Sequence, residues 1–181
     1  MLHLLPLRRF FMPPRILFVC TANICRSPMA EGVLRKILAG RRFPAAIESA
    51  ATTDACIDMP PHPAAVSAAK RRGYNISYIV SRRVCESDFS IFDLIVALDA
   101  ANRDRLRELA PVGCRTRVRL LLDFSKHWRG RDVPDPHGCG PGAFERTLDL
   151  IEEGCLGLAD YLRARRVATP GYARAEMERS A

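Results

Sequence analysis

Apolar and polar residues fall in blocks along this chain, and the blocks switch between two periods. Four short runs are almost continuously apolar, as strands covered on both faces require: Ile16 to Cys20, Leu94 to Leu98, Val118 to Leu122 and, more weakly, Ala46 to Ala51. Between them, apolar positions three and four apart predict helices over about 28–39, 63–73, 100–109 and 142–165. Alternating strands and helices of this kind predict an α/β fold, a doubly wound parallel sheet with helices on both faces. Ligands of such sheets sit beyond the carboxyl ends of the strands. No internal repeat is visible.

One strand end carries unusual chemistry. Residues 15–28 read RILFVCTANICRSP, a buried strand ending on Cys20, a tight loop, and Arg26 and Ser27 at a helix start. Backbone N–H groups at a helix N-terminus are unpaired and favour an anion. A guanidinium can bind two oxygens of a phosphate at once. A thiol beside both is a candidate nucleophile. Asn23 tolerates left-handed backbone, as a tight loop requires. Ser27 is a candidate helix N-cap and can also donate a hydrogen bond to sulfur. Asp135, between prolines in VPDPHG, reads from the residues alone as a turn or as an acid.

Composition narrows the picture. The length suits one domain, and 48% hydrophobic with 27% charged residues are globular values. The net charge is +8, but residues 1–15 and 163–181 each carry +3, leaving +2 for the body. A basic nucleic-acid face is therefore not expected, nor is stable membrane association. Residues 1–12 are expected to be a disordered extension, with Met12 as an alternative start, and 166–181 a disordered basic tail. Seven cysteines without paired spacing and no signal peptide point to a reducing cytoplasm. No His lies at ligand spacing from a Cys pair, so no metal or other cofactor is expected.

Three ordered segments resemble the low-molecular-weight protein tyrosine phosphatases. VCTANICRSPMAEG is similar to that family's phosphate-binding loop. VPDPHGCGPGAFERTLDLIEEGC is similar to its Asp-Pro loop and following helix. SRRVCESDFSIFDLIVALDAANRDRL is similar to its middle section. The likeness spans roughly residues 13–163, and the phosphatase domain is placed at 13–165. It implies strand order 2-1-3-4 and a metal-independent phosphohydrolase forming a cysteinyl phosphate. Cys20 would be the nucleophile, Arg26 the oxyanion clamp and Asp135 the general acid. Thr21, Ala22, Asn23, Ile24, Cys25 and Ser27 would complete the loop, with Cys25 a redox partner of Cys20. Phosphotyrosine proteins would be the substrates, supplied by a tyrosine kinase.

The resemblance has gaps. Ala22 and Ala51 stand where the family often has Gly. Ala55, His137 and Gly138 stand where it commonly carries aromatics that wall the phosphotyrosine slot. Ile24 agrees with tyrosine-directed members, whereas relatives resembling arginine phosphatases carry Thr. One rival reading is an arsenate reductase-like thiol enzyme, which needs distal cysteines after the third strand, where LDAANRDRL has none. Another is a phosphoprotein-binding module with weak catalysis.

Overall fold

The computed structural model describes residues 13–114 and 117–167. Residues 1–12 and 168–181, which include most of the expected extension and tail, lie outside the described residues. Four parallel strands, β1 (Arg15–Cys20), β2 (Ala46–Ala51), β3 (Leu94–Ala97) and β4 (Val118–Leu120), form one sheet in the order β2-β1-β3-β4. The helices are α1 (Arg26–Gly40), α2 (Pro63–Arg71), α3 (Asp88–Ile91), α4 (Ala100–Leu109) and α5 (Pro141–Val167). The expected doubly wound sheet and its order are both present.

Strand β1 is central because its side chains suit burial on either side. Ile16, Phe18 and Cys20 face the layer of α1, α2 and α5. Leu17 and Val19 face the layer of α3 and α4. This is the two-residue alternation of a strand between two apolar layers. Helix α5 covers its side with Phe144, Leu148, Ile151, Cys155, Leu158 and Leu162, steps of three and four. Gly157 lets α5 come close: a Cβ there would lie 1.9 Å from the Phe124 carbonyl oxygen.

Three local expectations shift. The fourth strand ends at Leu120, and Leu121–Phe124 form a 3₁₀ turn that carries Leu121 onto Gly154 of α5. The third strand stops at Ala97, although the Leu98 N–H still donates to the Val19 carbonyl at 3.1 Å. The four-residue helix α3 was not anticipated, since one turn is too short to show a helical period.

Candidate active site

The site lies at the carboxyl end of β1. Cys20 closes that strand, in register with Ala51 of β2, and residues 21–25 loop over into α1. Asn23, Cys25, Arg26 and Ser27 are all buried in this turn. The bend needs a left-handed residue, and Asn23 supplies it with φ of 56°. Its amide is orientated from outside: Oδ1 accepts the Arg82 N–H at 3.2 Å, so Nδ2 faces Ser27 Oγ at 2.8 Å. Ser27 Oγ is therefore an acceptor toward Asn23 and has its own proton free. Cys20 Sγ lies 3.0 Å away, nearer than the Ala50 carbonyl at 3.5 Å. The serine hydroxyl is thus placed to donate to sulfur.

This engagement corrects the expected cap. The helix starts at Arg26, Cys25 holds the cap position without a side-chain bond, and Ser27 lies inside the first turn. Its hydroxyl is consumed by the loop rather than by the helix end.

Arg26 ties the loop to two distant acids. Its guanidinium meets Asp99 Oδ2 at 2.5 Å and Asp135 Oδ2 at 2.7 Å. It also donates to the Val133 carbonyl and Thr21 Oγ1, both at 3.3 Å. Burial pulls the Arg26 pKa down, but the facing Cys20, Asp135 and Asp99 more than reverse this, so it stays charged. Nε of Arg26 is buried with no partner among the described residues. A buried donor of this kind costs about 1–3 kcal/mol without an acceptor, and an oxyanion on the loop would supply one.

Asp99 was missed from the sequence, though a signal was present. It directly follows the third strand's apolar run, where sheet ligands collect, and it precedes a helix. One carboxylate oxygen caps α4 by accepting the Asn102 N–H at 2.7 Å; the other holds Arg26. Asp135 forms the expected turn, with Oδ1 accepting the His137 N–H at 3.1 Å, and its Oδ2 faces Arg26 in the site. Its loop is anchored by Val133 N–H to the Leu98 carbonyl and by Thr147 Oγ1 to the Pro134 carbonyl.

A second loop flanks the first. Thr53 donates to the Thr21 carbonyl from both its N–H and its hydroxyl, at 3.1 and 2.9 Å. His62 N–H donates to the Ile24 carbonyl at 2.8 Å. Ala55 lies between these two ties and is exposed, as are His137 and Gly138 opposite Arg26 on the Asp135 loop. Ala22 is half-buried within the phosphate loop, and Ile24 packs its side chain against the core. Cys25 is a free, buried thiol whose pKa is pushed up to about 12, first by burial and then by the charge on Cys20.

A buried thiol at a strand end, a guanidinium beneath an anion-ready helix start and a carboxyl opposite define a thiol-dependent phosphoryl-transfer site. The comparisons with known proteins agree. The family model for "Low molecular weight phosphotyrosine protein phosphatase" matches residues 15–168, and the chain belongs to this family of phosphatases. The low molecular weight protein-tyrosine-phosphatase of Streptomyces coelicolor is 38% identical over 157 residues, 84% of this chain and 95% of its own. The Bacillus subtilis enzyme YfkJ is 37% identical over 142 residues, 77% of this chain and 90% of its own. A protein tyrosine phosphatase from Entamoeba histolytica, crystallised with Hepes in its active site, superposes with TM-score 0.81 at 32% identity. That superposition covers 84% of this chain and 99% of the other.

Proposed function

We propose that this phosphatase hydrolyses phosphotyrosine in proteins through a phosphate ester of Cys20. The observation that carries this reading is the meeting of Cys20, Arg26 and Asp135, brought together from two segments more than a hundred residues apart. The Cys20 sulfur attacks phosphorus while Arg26 and the loop N–H groups hold the equatorial oxygens. Asp135 gives its proton to the departing tyrosine oxygen. The resulting carboxylate then takes a proton from water as it attacks the thiophosphate, which returns Cys20 and releases phosphate. Ser27 supports the sulfur through its hydroxyl, and Asn23 holds Ser27. Thr21, Ala22, Ile24 and Cys25 supply the remaining backbone of the cradle. Arg26 would exchange Asp135 for phosphoryl oxygens as substrate enters, freeing the carboxyl to act.

Ala55, His137 and Gly138 flank the slot, and the small residues there leave a wide entrance for the phosphotyrosine ring. Gly138 has φ of 74°, a backbone that disfavours the aromatic expected from the family. Cys25 is a redox partner: peroxide oxidises Cys20 to a sulfenic acid, and the Cys25 thiol displaces water from it to form a disulfide. Loss of the Cys20 charge removes the second cause of the high Cys25 pKa. A cytoplasmic setting, with a tyrosine kinase supplying substrate, fits the reducing conditions that Cys20 needs. No helix among the described residues is long and apolar enough to cross a membrane.

The test is capture. An Asp135→Ala variant should retain tyrosine-phosphorylated proteins from a lysate while turning over p-nitrophenyl phosphate slowly. Wild-type protein should turn that ester over rapidly. Absence of wild-type turnover with capture intact would favour a binding module instead.

A further inference from the structure

Three rings from three separate elements meet beside the Asp135 loop. Phe144 lies in the first turn of α5 and is buried. His62, at the cap of α2, stacks on it with centroids 5.5 Å apart and planes 16° from parallel. His137, two residues after Asp135, meets His62 edge to face, at 5.4 Å and 84°. The His62 ring is fixed from its own side as well, since Nδ1 accepts the Ala64 N–H at 3.2 Å. Its backbone N–H holds the Ile24 carbonyl of the phosphate loop. One residue thus joins the phosphate loop, the start of α2 and the Asp135 loop.

The backbone ties of the loop to the body lie on its upstream side. Upstream of the carboxylate, Val133 and Pro134 are bonded to the body of the protein through Leu98 and Thr147. Downstream the bonds are local: Cys139 N–H returns to the Pro136 carbonyl, and Gly138 and Gly140 both have positive φ. The His137 ring reaches another element from this side, through His62. His137 also acts on the carboxylate itself, because its N–H occupies Oδ1 and leaves Oδ2 toward Arg26.

We propose that His62 is a positioning residue for the general acid. Through His137 it holds Asp135 where the carboxyl reaches the leaving oxygen of a phosphate seated on Cys20 and Arg26. His62 touches neither the phosphate nor the reacting atoms. The inference rests on Asp135 being the acid, so both are tested in one series. The measurement is kcat/KM for aryl phosphates of graded leaving-group basicity, from phenyl phosphate to 2,4-dinitrophenyl phosphate.

Two substitutions separate the ring from the cap. His62→Asn keeps a capping oxygen and removes the ring; His62→Phe keeps the ring and removes the capping nitrogen. With His62→Asn, kcat/KM for phenyl phosphate should fall about tenfold, the scale of a small misplacement of a catalytic group. The loss should shrink to about threefold or less for the dinitrophenyl ester, which needs little protonation. His62→Phe should restore most of the phenyl phosphate rate. His137→Ala, on an exposed loop where folding is not at risk, should show the same leaving-group dependence. Combined with His62→Asn it should add little, because both remove one contact. An equal loss across the series, no loss, or additive losses would overturn the proposal. If Asp135→Asn is itself flat across the series, the acid assignment fails; if it is steep while His62→Asn is flat, only the role of His62 fails.

Discussion

The phosphate cradle and its rim are built by opposite means. In the cradle, residues 20–27 are contiguous, and Cys20, Asn23, Arg26 and Ser27 are buried and cross-bonded: Asn23 to Ser27, Ser27 to Cys20, Arg26 to Asp99. The rim comes from two loops far apart in sequence, carries exposed Ala55, His137 and Gly138, and is tied down at a few points. A buried, cross-bonded cradle cannot be altered without loss, since each group lost leaves a partner unsatisfied. An exposed rim can change freely. On the proposed mechanism, phosphoryl transfer depends on the packed cradle and selectivity on the open rim.

That contrast can be attacked from both sides. The largest effect should come from Asp135, which sits on the rim but works on the cradle. Asp135→Asn should lower kcat/KM for phenyl phosphate by about 10²–10⁴-fold, with a much smaller loss for dinitrophenyl phosphate. Steady-state kinetics across the two esters checks it. Next comes Asn23→Ala, which replaces a residue tolerant of positive φ with one that is not and strips partners from Ser27 and the Arg82 N–H. Urea titration should show a loss of about 2–4 kcal/mol, with activity reduced as well. If stability is unchanged, the loop is not braced as described.

Cys25 gives a pH test of the same packing. The folded chain keeps this proton to about pH 12, whereas an ordinary thiol releases it near 9.0. Between these values the unfolded chain binds fewer protons, so stability should fall as pH rises through the window. Cys25→Ala should make that fall shallower in denaturant titrations from pH 8 to 11, the remainder belonging to Cys155 and Tyr74, which burial also pushes up. In wild type, peroxide inactivation should be reversed by dithiothreitol, and Cys25→Ser should lose that recovery. The smallest effect belongs to the rim. Ala55→Tyr should lower KM for a phosphotyrosine peptide about two- to tenfold, the worth of one ring contact at about 0.5–1.5 kcal/mol. Gly138→Tyr should give no such gain, because its left-handed backbone disfavours a side chain.

Sequence patterns reached the cradle more fully than the rim, for a physical reason. Cys20, Asn23, Arg26 and Ser27 lie within one strand–loop–helix turn, so local rules about strand ends, left-handed residues and helix dipoles all apply to them. The sheet was equally legible, because strands buried on both faces must be apolar throughout. Asp99 and His62 escaped notice because their roles arise from contacts across the fold. Asp99 reads locally as a cap and His62 as a lone imidazole before a proline. Only the packing of β3 beside β1 and of α2 against α5 brings them to the site. Of the two roles read for Ser27, the structure has the bond to the Cys20 sulfur and not the cap, since the helix starts one residue earlier and Asn23 fixes the hydroxyl.

The central claim is that Cys20 carries the phosphoryl group during turnover. It is tested most directly by acid-quenching the enzyme during turnover of p-nitrophenyl phosphate and mapping the phosphate by peptide mass spectrometry. The phosphate should lie on Cys20, and Cys20→Ser protein should show neither adduct nor more than a few per cent of wild-type turnover. Phosphate on another side chain, or full turnover by Cys20→Ser, would contradict the account.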